Sequence, residues 1–291
     1  MKEGNMKINK IIFAAIFLIS IFYLTSPYSL YAESAEEYLD RGDEYVLQRN
    51  YSQAISEYSK AIEINTNDEN AYFKRGNVYL LDVKDYSQAI ADYTKAIEIN
   101  PYFTMAYFER GKAYYEQGNY SQAITDFIKV IERYDNFADA YYYRGLAYCR
   151  LHDYSQAIPD FTKVIEWNPR YEEYYYQRGM AYYEQGNYSQ AIADFTKAIQ
   201  LNPKDAQAYR ERGLAYMEVP DYYGAIFDFS RVLEWNPKDA EIYYRRARAY
   251  YMTRDDESAM QDMHKAEELG YPANPEDLKG LKRPPAAGKK K

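Results

Sequence analysis

Between residues 35 and 273, apolar and small residues recur with a helical beat that short polar turns interrupt at regular intervals. In the first half of each copy an aromatic, a small residue and a second aromatic hold relative positions four, eight and eleven. Tyr38, Gly42 and Tyr45 show the pattern, and so do Tyr141, Gly145 and Tyr148. That spacing puts all three on one helix face. In the second half, Ala stands at position twenty, an aromatic at twenty-four and Ala or Val at twenty-seven, as in Ala54, Tyr58 and Ala61. Each copy therefore predicts two amphipathic helices. Gly inside a helix costs about 1 kcal/mol against Ala, so its recurrence predicts that the second helix approaches closely there.

The small residue fixes the period. Gly42, Gly76, Gly111, Gly145, Gly179, Gly213 and Ala247 are 34 residues apart, except for one inserted residue in the second copy. The copies run 35–68, 69–103, 104–137, 138–171, 172–205, 206–239 and 240–273. A repeat of this length means one supersecondary unit stacked into a solenoid, in which each unit touches its neighbours. One elongated domain is expected.

Asn50, Asp85, Asn119, Asp153, Asn187, Asp221 and Asp255 precede the second helices and suit N-caps. Gln53, Gln88, Gln122, Gln156 and Gln190 follow three residues after the first five, predicting capping boxes. Asn-Pro pairs at 100–101, 168–169, 202–203 and 236–237 predict where helices stop. Position seven is Arg in every copy (Arg41, Arg75, Arg110, Arg144, Arg178, Arg212, Arg246). Position twenty-three is acidic in every copy (Glu57, Asp92, Asp126, Asp160, Asp194, Asp228, Asp262). A planar guanidinium grips a carboxylate with two parallel bonds, so an Arg–carboxylate ladder is predicted, with Lys60, Lys95 and Lys129 as rivals for the acid. The sequons at Asn50, Asn119 and Asn187 fall in the repeated turn, where capping is expected to occupy the Asn.

These residues resemble the tetratricopeptide repeat family at its period and signature positions, apart from Arg where that family most often has Leu before the small residue. The resemblance implies an all-α fold: a right-handed superhelical solenoid of seven helix-turn-helix repeats. It also implies a non-enzymatic scaffold holding a protein or peptide segment on a concave face lined by the first helices. The ligand-binding residues expected on that face are Phe73, Phe108, Tyr115, Tyr142, Leu146, Tyr176, Met180, Tyr183 and Tyr244. Unexploited scaffold surface, a subunit that self-associates through its edges and convex face, and a binder of small hydrophobic molecules are the alternatives. The family's carboxylate clamp is not expected, because Phe73, Glu109, Asp139 and Tyr143 stand where its basic and amide residues are needed.

Charge narrows the partners. The chain carries −8 overall, but residues 1–10 hold +2 and residues 274–291 hold +4, leaving −14 on residues 11–273, nearly all of it on the repeats. An acidic body does not suit a phosphate backbone, so no nucleic acid is expected. Cys149, His152 and His264 supply neither a metal set nor an oriented nucleophile, so no cofactor, metal or catalytic residue is assigned. Cys149, the lone cysteine, is expected to be buried.

Lys7 and Lys10 precede fourteen apolar residues, 11–24, and a turn at Ser26-Pro27. This reads as a secretory signal peptide over residues 1–32 with cleavage after Ala32. The rival is a retained membrane anchor using residues 11–31. Both place the repeats outside the cytoplasm, in a periplasmic or extracellular setting. Ala247, Asp256 and Met263 mark the last copy as a capping repeat, and residues 274–291 read as a flexible basic tail.

Overall fold

The structure, a computed structural model, describes residues 33–272. The expected signal or anchor, residues 1–32, and the basic tail lie outside the described residues. Among those described, the fold is entirely helical, arranged as repeated antiparallel pairs. By contacts the chain falls into two compact units, residues 1–100 and 101–291.

The first unit contains α1 (Ala35–Leu47), α2 (Tyr51–Ile64), α3 (Glu69–Val78) and α4 (Tyr86–Ile99). The inserted residue of the second copy is absorbed after α3, where Tyr79–Val83 widens into a π-helical turn. Lys84 then takes φ 58°, and the Asp85 amide donates to the Tyr79 carbonyl at 2.9 Å. Such single-turn bulges take in an extra residue without breaking the helix.

The second unit contains five pairs: α5 (Thr104–Glu116) with α6 (Tyr120–Arg133), α7 (Ala138–Arg150) with α8 (Tyr154–Trp167), and α9 (Glu172–Glu184) with α10 (Tyr188–Leu201). Then come α11 (Ala206–Glu218) with α12 (Tyr222–Trp235), and α13 (Ala240–Met252) with α14 (Asp256–Glu268). Within this unit each even-numbered helix packs on its own partner and on the next odd-numbered helix, while α5, α7, α9 and α11 also touch in sequence along one side.

The glycine at position eight is needed for packing. A Cβ at Gly213 would lie 2.7 Å from Phe229 Cε1, and one at Gly145 would lie 2.9 Å from Phe161 Cε1. Both rings are fully buried. In the seventh copy the pair changes together: Ala247 faces the flexible Met263, both also fully buried.

The capping expectation is only half right. Asp85, Asp153, Asp221 and Asp255 accept a backbone N–H at their helix starts, but Asn50, Asn119 and Asn187 make no capping bond. Asn119 and Asn187 instead donate to Gln117 and Gln185. A carboxylate only accepts hydrogen bonds, whereas an amide can also spend itself as a donor. The argument that capping occupies the sequon asparagines therefore fails. Among the described helices the reciprocal capping box forms elsewhere, between Ser34 and Glu37. The stop signals hold: Asn100, Asn168, Asn202 and Asn236 leave the helical region at φ −124° to −131°.

The ladder is present in all seven copies, each Arg binding the acid sixteen or seventeen residues on. Arg144 donates through Nε and Nη2 to Asp160 at 2.8 and 2.6 Å, and Arg212 to Asp228 at 2.8 and 2.7 Å. The third nitrogen often reaches back to the preceding repeat: Arg178 to Thr162 at 3.0 Å, Arg212 to Thr196 at 3.0 Å and Arg246 to Ser230 at 2.9 Å. Each of these three guanidinium groups thus joins three helices. Arg178 and Arg246 also lie over tyrosines at positions four and eleven, Tyr175 with Tyr182 and Tyr243 with Tyr250. Burial pushes the carboxyls of Asp92, Asp126, Asp160 and Asp228 up, against the pull of their arginines. The lysine rival succeeds at Glu57, which Lys60 reaches at 2.6 Å, while Lys95 and Lys129 turn to Glu98 and Glu132.

Candidate binding groove

The side of the second unit lined by odd-numbered helices carries a pocket of about 570 Å³ spanning α5, α7 and α9. Leu146, Met180, Ala181 and Cys149 form its apolar part; Tyr115, Tyr154 and Tyr176 supply aromatic walls; Arg150, His152 and Glu184 bring polar groups. Neighbouring side chains hold two of the aromatic walls. Arg150 Nε donates to the Tyr115 hydroxyl at 3.2 Å, and the rings of Tyr115 and Tyr120 meet edge-on, 5.4 Å between centroids. His152 Nδ1 lies 2.8 Å from the Tyr154 hydroxyl. A second pocket of about 220 Å³ sits further along, lined by Tyr183, Leu214, Met217, Glu218, Tyr222, Arg245, Arg248 and Met252.

Of the nine expected ligand residues, Tyr115, Leu146, Tyr176 and Met180 meet in the larger pocket, and Tyr183 lines the smaller one. The rest are spent differently. Phe108 is buried in the core against Phe127, Phe137 and Tyr143, which corrects its assignment. At that end of the unit Phe137, ahead of α7, closes over the ring. Tyr142 is half-buried among Tyr143, Phe161 and Tyr174, and its hydroxyl donates to Glu173 at 3.2 Å. Tyr244 carries the ring of Tyr271. Phe73 belongs to the first unit and packs on Tyr93. At the sixth repeat the aromatic series breaks: Arg210 stands there, bound to Glu241 at 2.5 Å.

The sequence reading missed Glu184, Arg150 and Gln177, at positions thirteen and six. The signal was available, since position thirteen lies one helical turn beyond position nine and so shares its face. Cys149, expected to be buried, is half-buried and faces the pocket. Burial pushes its thiol up to about 11, so it is protonated at neutral pH and is not an activated nucleophile. Among the described residues no group of three or more His, Cys, Asp or Glu is placed to hold a metal ion. Nor is any described helix long and apolar enough to cross a membrane.

The outer side has one departure of its own. On α12, Tyr223 and Phe227 are 74% and 59% exposed, one helical turn apart. Ser189 and Ala193 occupy the same places in the preceding copy.

Paired helices at this period, with a glycine-on-ring contact in six successive copies, define a helical-repeat scaffold. A TPR repeat family model matches residues 42–83, 80–118 and 179–219, and tetratricopeptide repeat models match 108–171 and 161–193. Together these span residues 42–219, more than half of the chain, and the chain belongs to the tetratricopeptide repeat family.

No curated protein matches it. Solved structures do. The C-terminal part of a TPR repeat-containing protein from Cytophaga hutchinsonii is 24% identical with a TM-score of 0.70, covering 84% of this chain and 99% of that one. A tetratricopeptide repeat protein from Parabacteroides merdae is 23% identical with a TM-score of 0.62, covering 84% and 96%. Both support the fold alone. YrrB, described as a TPR protein with an unusual peptide-binding site, is 25% identical with a TM-score of 0.57, covering 64% and 94%.

Proposed function

We propose that this protein is an exported, non-enzymatic scaffold that holds a segment of another protein in the groove lined by α5, α7 and α9. The observation that carries this reading is the larger pocket. It offers apolar depth, two tyrosines hydrogen-bonded with Arg150 and His152, a third set against Phe195, and charges of both signs at its edge. Tyrosines fixed in this way contribute contact area without losing further rotamer freedom on binding. The likeness to YrrB, whose own description names a peptide-binding site, points the same way. Family membership and the protonated Cys149 speak for binding rather than chemistry. Export rests on Lys7, Lys10 and the apolar run 11–24.

Peptides selected from a random display library against the purified chain provide the test. They are expected to lose binding at least tenfold to Leu146→Glu or Met180→Glu and to keep it in Phe227→Ser. A selection that enriches nothing, or peptides indifferent to the groove substitutions, would refute the reading. Export is tested separately by fractionating cells that produce the chain; retention in the cytoplasm defeats it. The exposed Tyr223 and Phe227 favour one second reading, a subunit that assembles through its outer face. Self-association abolished by Phe227→Ser would support that one instead.

A further inference from the structure

The charged side chains in and between the two pockets divide into those already engaged and those left free. Arg150 donates to the Tyr115 hydroxyl, and Arg210 and Arg245 both bind Glu241, at 2.5 and 3.0 Å. Glu173 accepts from Tyr142 and Gln177. Among the described residues Glu184 on α9 and Glu218 on α11 have no such partner, and Glu211 on α11 has only the Arg210 guanidinium, 3.9 Å away. On α13, Arg248 lies over the Tyr244 ring and meets no carboxylate. Three uncommitted carboxylates therefore stand on α9 and α11, with one uncommitted guanidinium beyond them.

Two tyrosines bracket the carboxylates. Tyr176 lines the larger pocket and Tyr183 the smaller, two turns apart on one face of α9. Burial raises both hydroxyls, that of Tyr176 to about 12. Glu211, Asp205 and Glu173 add to the rise at Tyr176, and Glu218 and Glu211 at Tyr183, each against a single arginine. Glu211 acts on both rings. Its side chain is only 16% exposed, and burial pushes its carboxyl up, with Arg210 opposing and Glu241 and Glu184 adding. A carboxylate held away from water without a hydrogen bond costs free energy that a bound cation returns.

Resting on the groove reading, we propose that the groove selects an extended segment carrying an arginine, which seats between Tyr176 and Tyr183 and binds Glu211 and Glu184. Arginine suits the place better than lysine, because its planar fork stacks on a tyrosine ring and still grips a carboxylate with two bonds. Arg248 adds a second element. One helix-to-helix step of about 10 Å separates α11 from α13, and an extended chain covers it in about three residues. The segment therefore carries an acidic residue about three places from the arginine, on the α13 side. A uniformly basic segment does not fit, since Arg245 and Arg248 flank one end of the groove and Arg150 the other.

Peptides selected from a random display library against the purified full chain supply the probes. They are expected to favour Arg over Lys at one fixed place, with Asp or Glu about three residues away. In such a peptide, Arg→Gln should weaken binding about tenfold, and Glu211→Gln or Glu184→Gln in the protein should do the same. Once the peptide's Arg is Gln, Glu211→Gln should cost no more than about twofold, because the two changes remove one contact. Neither carboxylate holds a hydrogen bond within the chain, so glutamine leaves the fold intact, and thermal unfolding of each variant checks this. Selected peptides that lose binding to Met180→Asn but show no preferred Arg, or that ignore Glu211→Gln and Glu184→Gln, overturn this inference and leave the groove standing. Arg-bearing peptides that bind Met180→Asn as well as wild type place the attraction outside the groove and overturn both.

Discussion

Replacing Gly213 by Ala should destabilise the protein, although helix propensity alone predicts the reverse. Ala is about 1 kcal/mol better than Gly inside a helix. Against this, the new methyl would lie 2.7 Å from Phe229 Cε1, 2.9 Å from Cδ1 and 3.2 Å from Cζ, in a ring with no exposed surface. Carbon atoms prefer about 3.5–4.0 Å, so several contacts are short by up to about 1 Å. Overpacking of this kind costs about 1–3 kcal/mol, which leaves a net loss of about 1 kcal/mol. The seventh repeat shows how the contact is relieved, since Ala247 is paired there with Met263. Phe229→Met in the Gly213→Ala background should recover about 1–2 kcal/mol relative to the sum of the single changes. Urea unfolding followed by far-ultraviolet circular dichroism on the wild type, both singles and the double measures the cycle. Gly213→Ala at or above wild-type stability, or losses that simply add, would refute the close-approach argument.

The ladder predicts a second cycle. Asp160→Ala leaves the Arg144 guanidinium without its bidentate partner in a largely buried place and should cost about 3 kcal/mol, with the double variant at least about 1 kcal/mol better than additive. Strictly additive losses in the same unfolding assay would mean that the two side chains do not interact. Pro159 sits inside α8, where it cannot donate to the ladder of helix bonds. Pro159→Ala is therefore expected to stabilise by about 1–3 kcal/mol, and a lower urea midpoint would contradict this. Cys149 should react with iodoacetamide as a thiol ionising near pH 11 rather than near its usual 9. Because the folded state favours the neutral thiol, its contribution to stability is present below pH 9 and is lost as pH rises through 11. A rate profile with its midpoint at 9 would show that Cys149 is not shielded.

The helix pairs, their period and the Arg–acid pairing were legible because each depends on spacing along one helix or on a residue that recurs in every copy. Repetition turns a weak local signal into a strong one: one Gly in a helix says little, but Gly42 through Gly213 at a fixed step demand a close contact. Caps were legible by position and not by partner, since the same turn leaves Asp accepting a backbone N–H and Asn donating to a glutamine side chain. The groove was legible only in outline. Position five reads as aromatic in most copies, yet its fate depends on what the neighbouring repeats supply. Phe137 and Tyr143 bury Phe108, Glu173 takes the hydroxyl of Tyr142, and Tyr176 is left beside a pocket.

The sequence by itself thus determined what repeats: two helices per 34 residues, a glycine under a ring, a guanidinium on a carboxylate, and an acidic body between basic ends. Each of these follows from residue identity and from separations of a helical turn or one repeat, which the chain's own geometry converts into contacts. Only the tertiary structure decided where surface remains unfilled, that Cys149 and Glu184 share a pocket with Tyr176, and that Tyr271 settles on Tyr244. Empty space is what side chains from several repeats jointly fail to fill, and no single stretch of the chain records it.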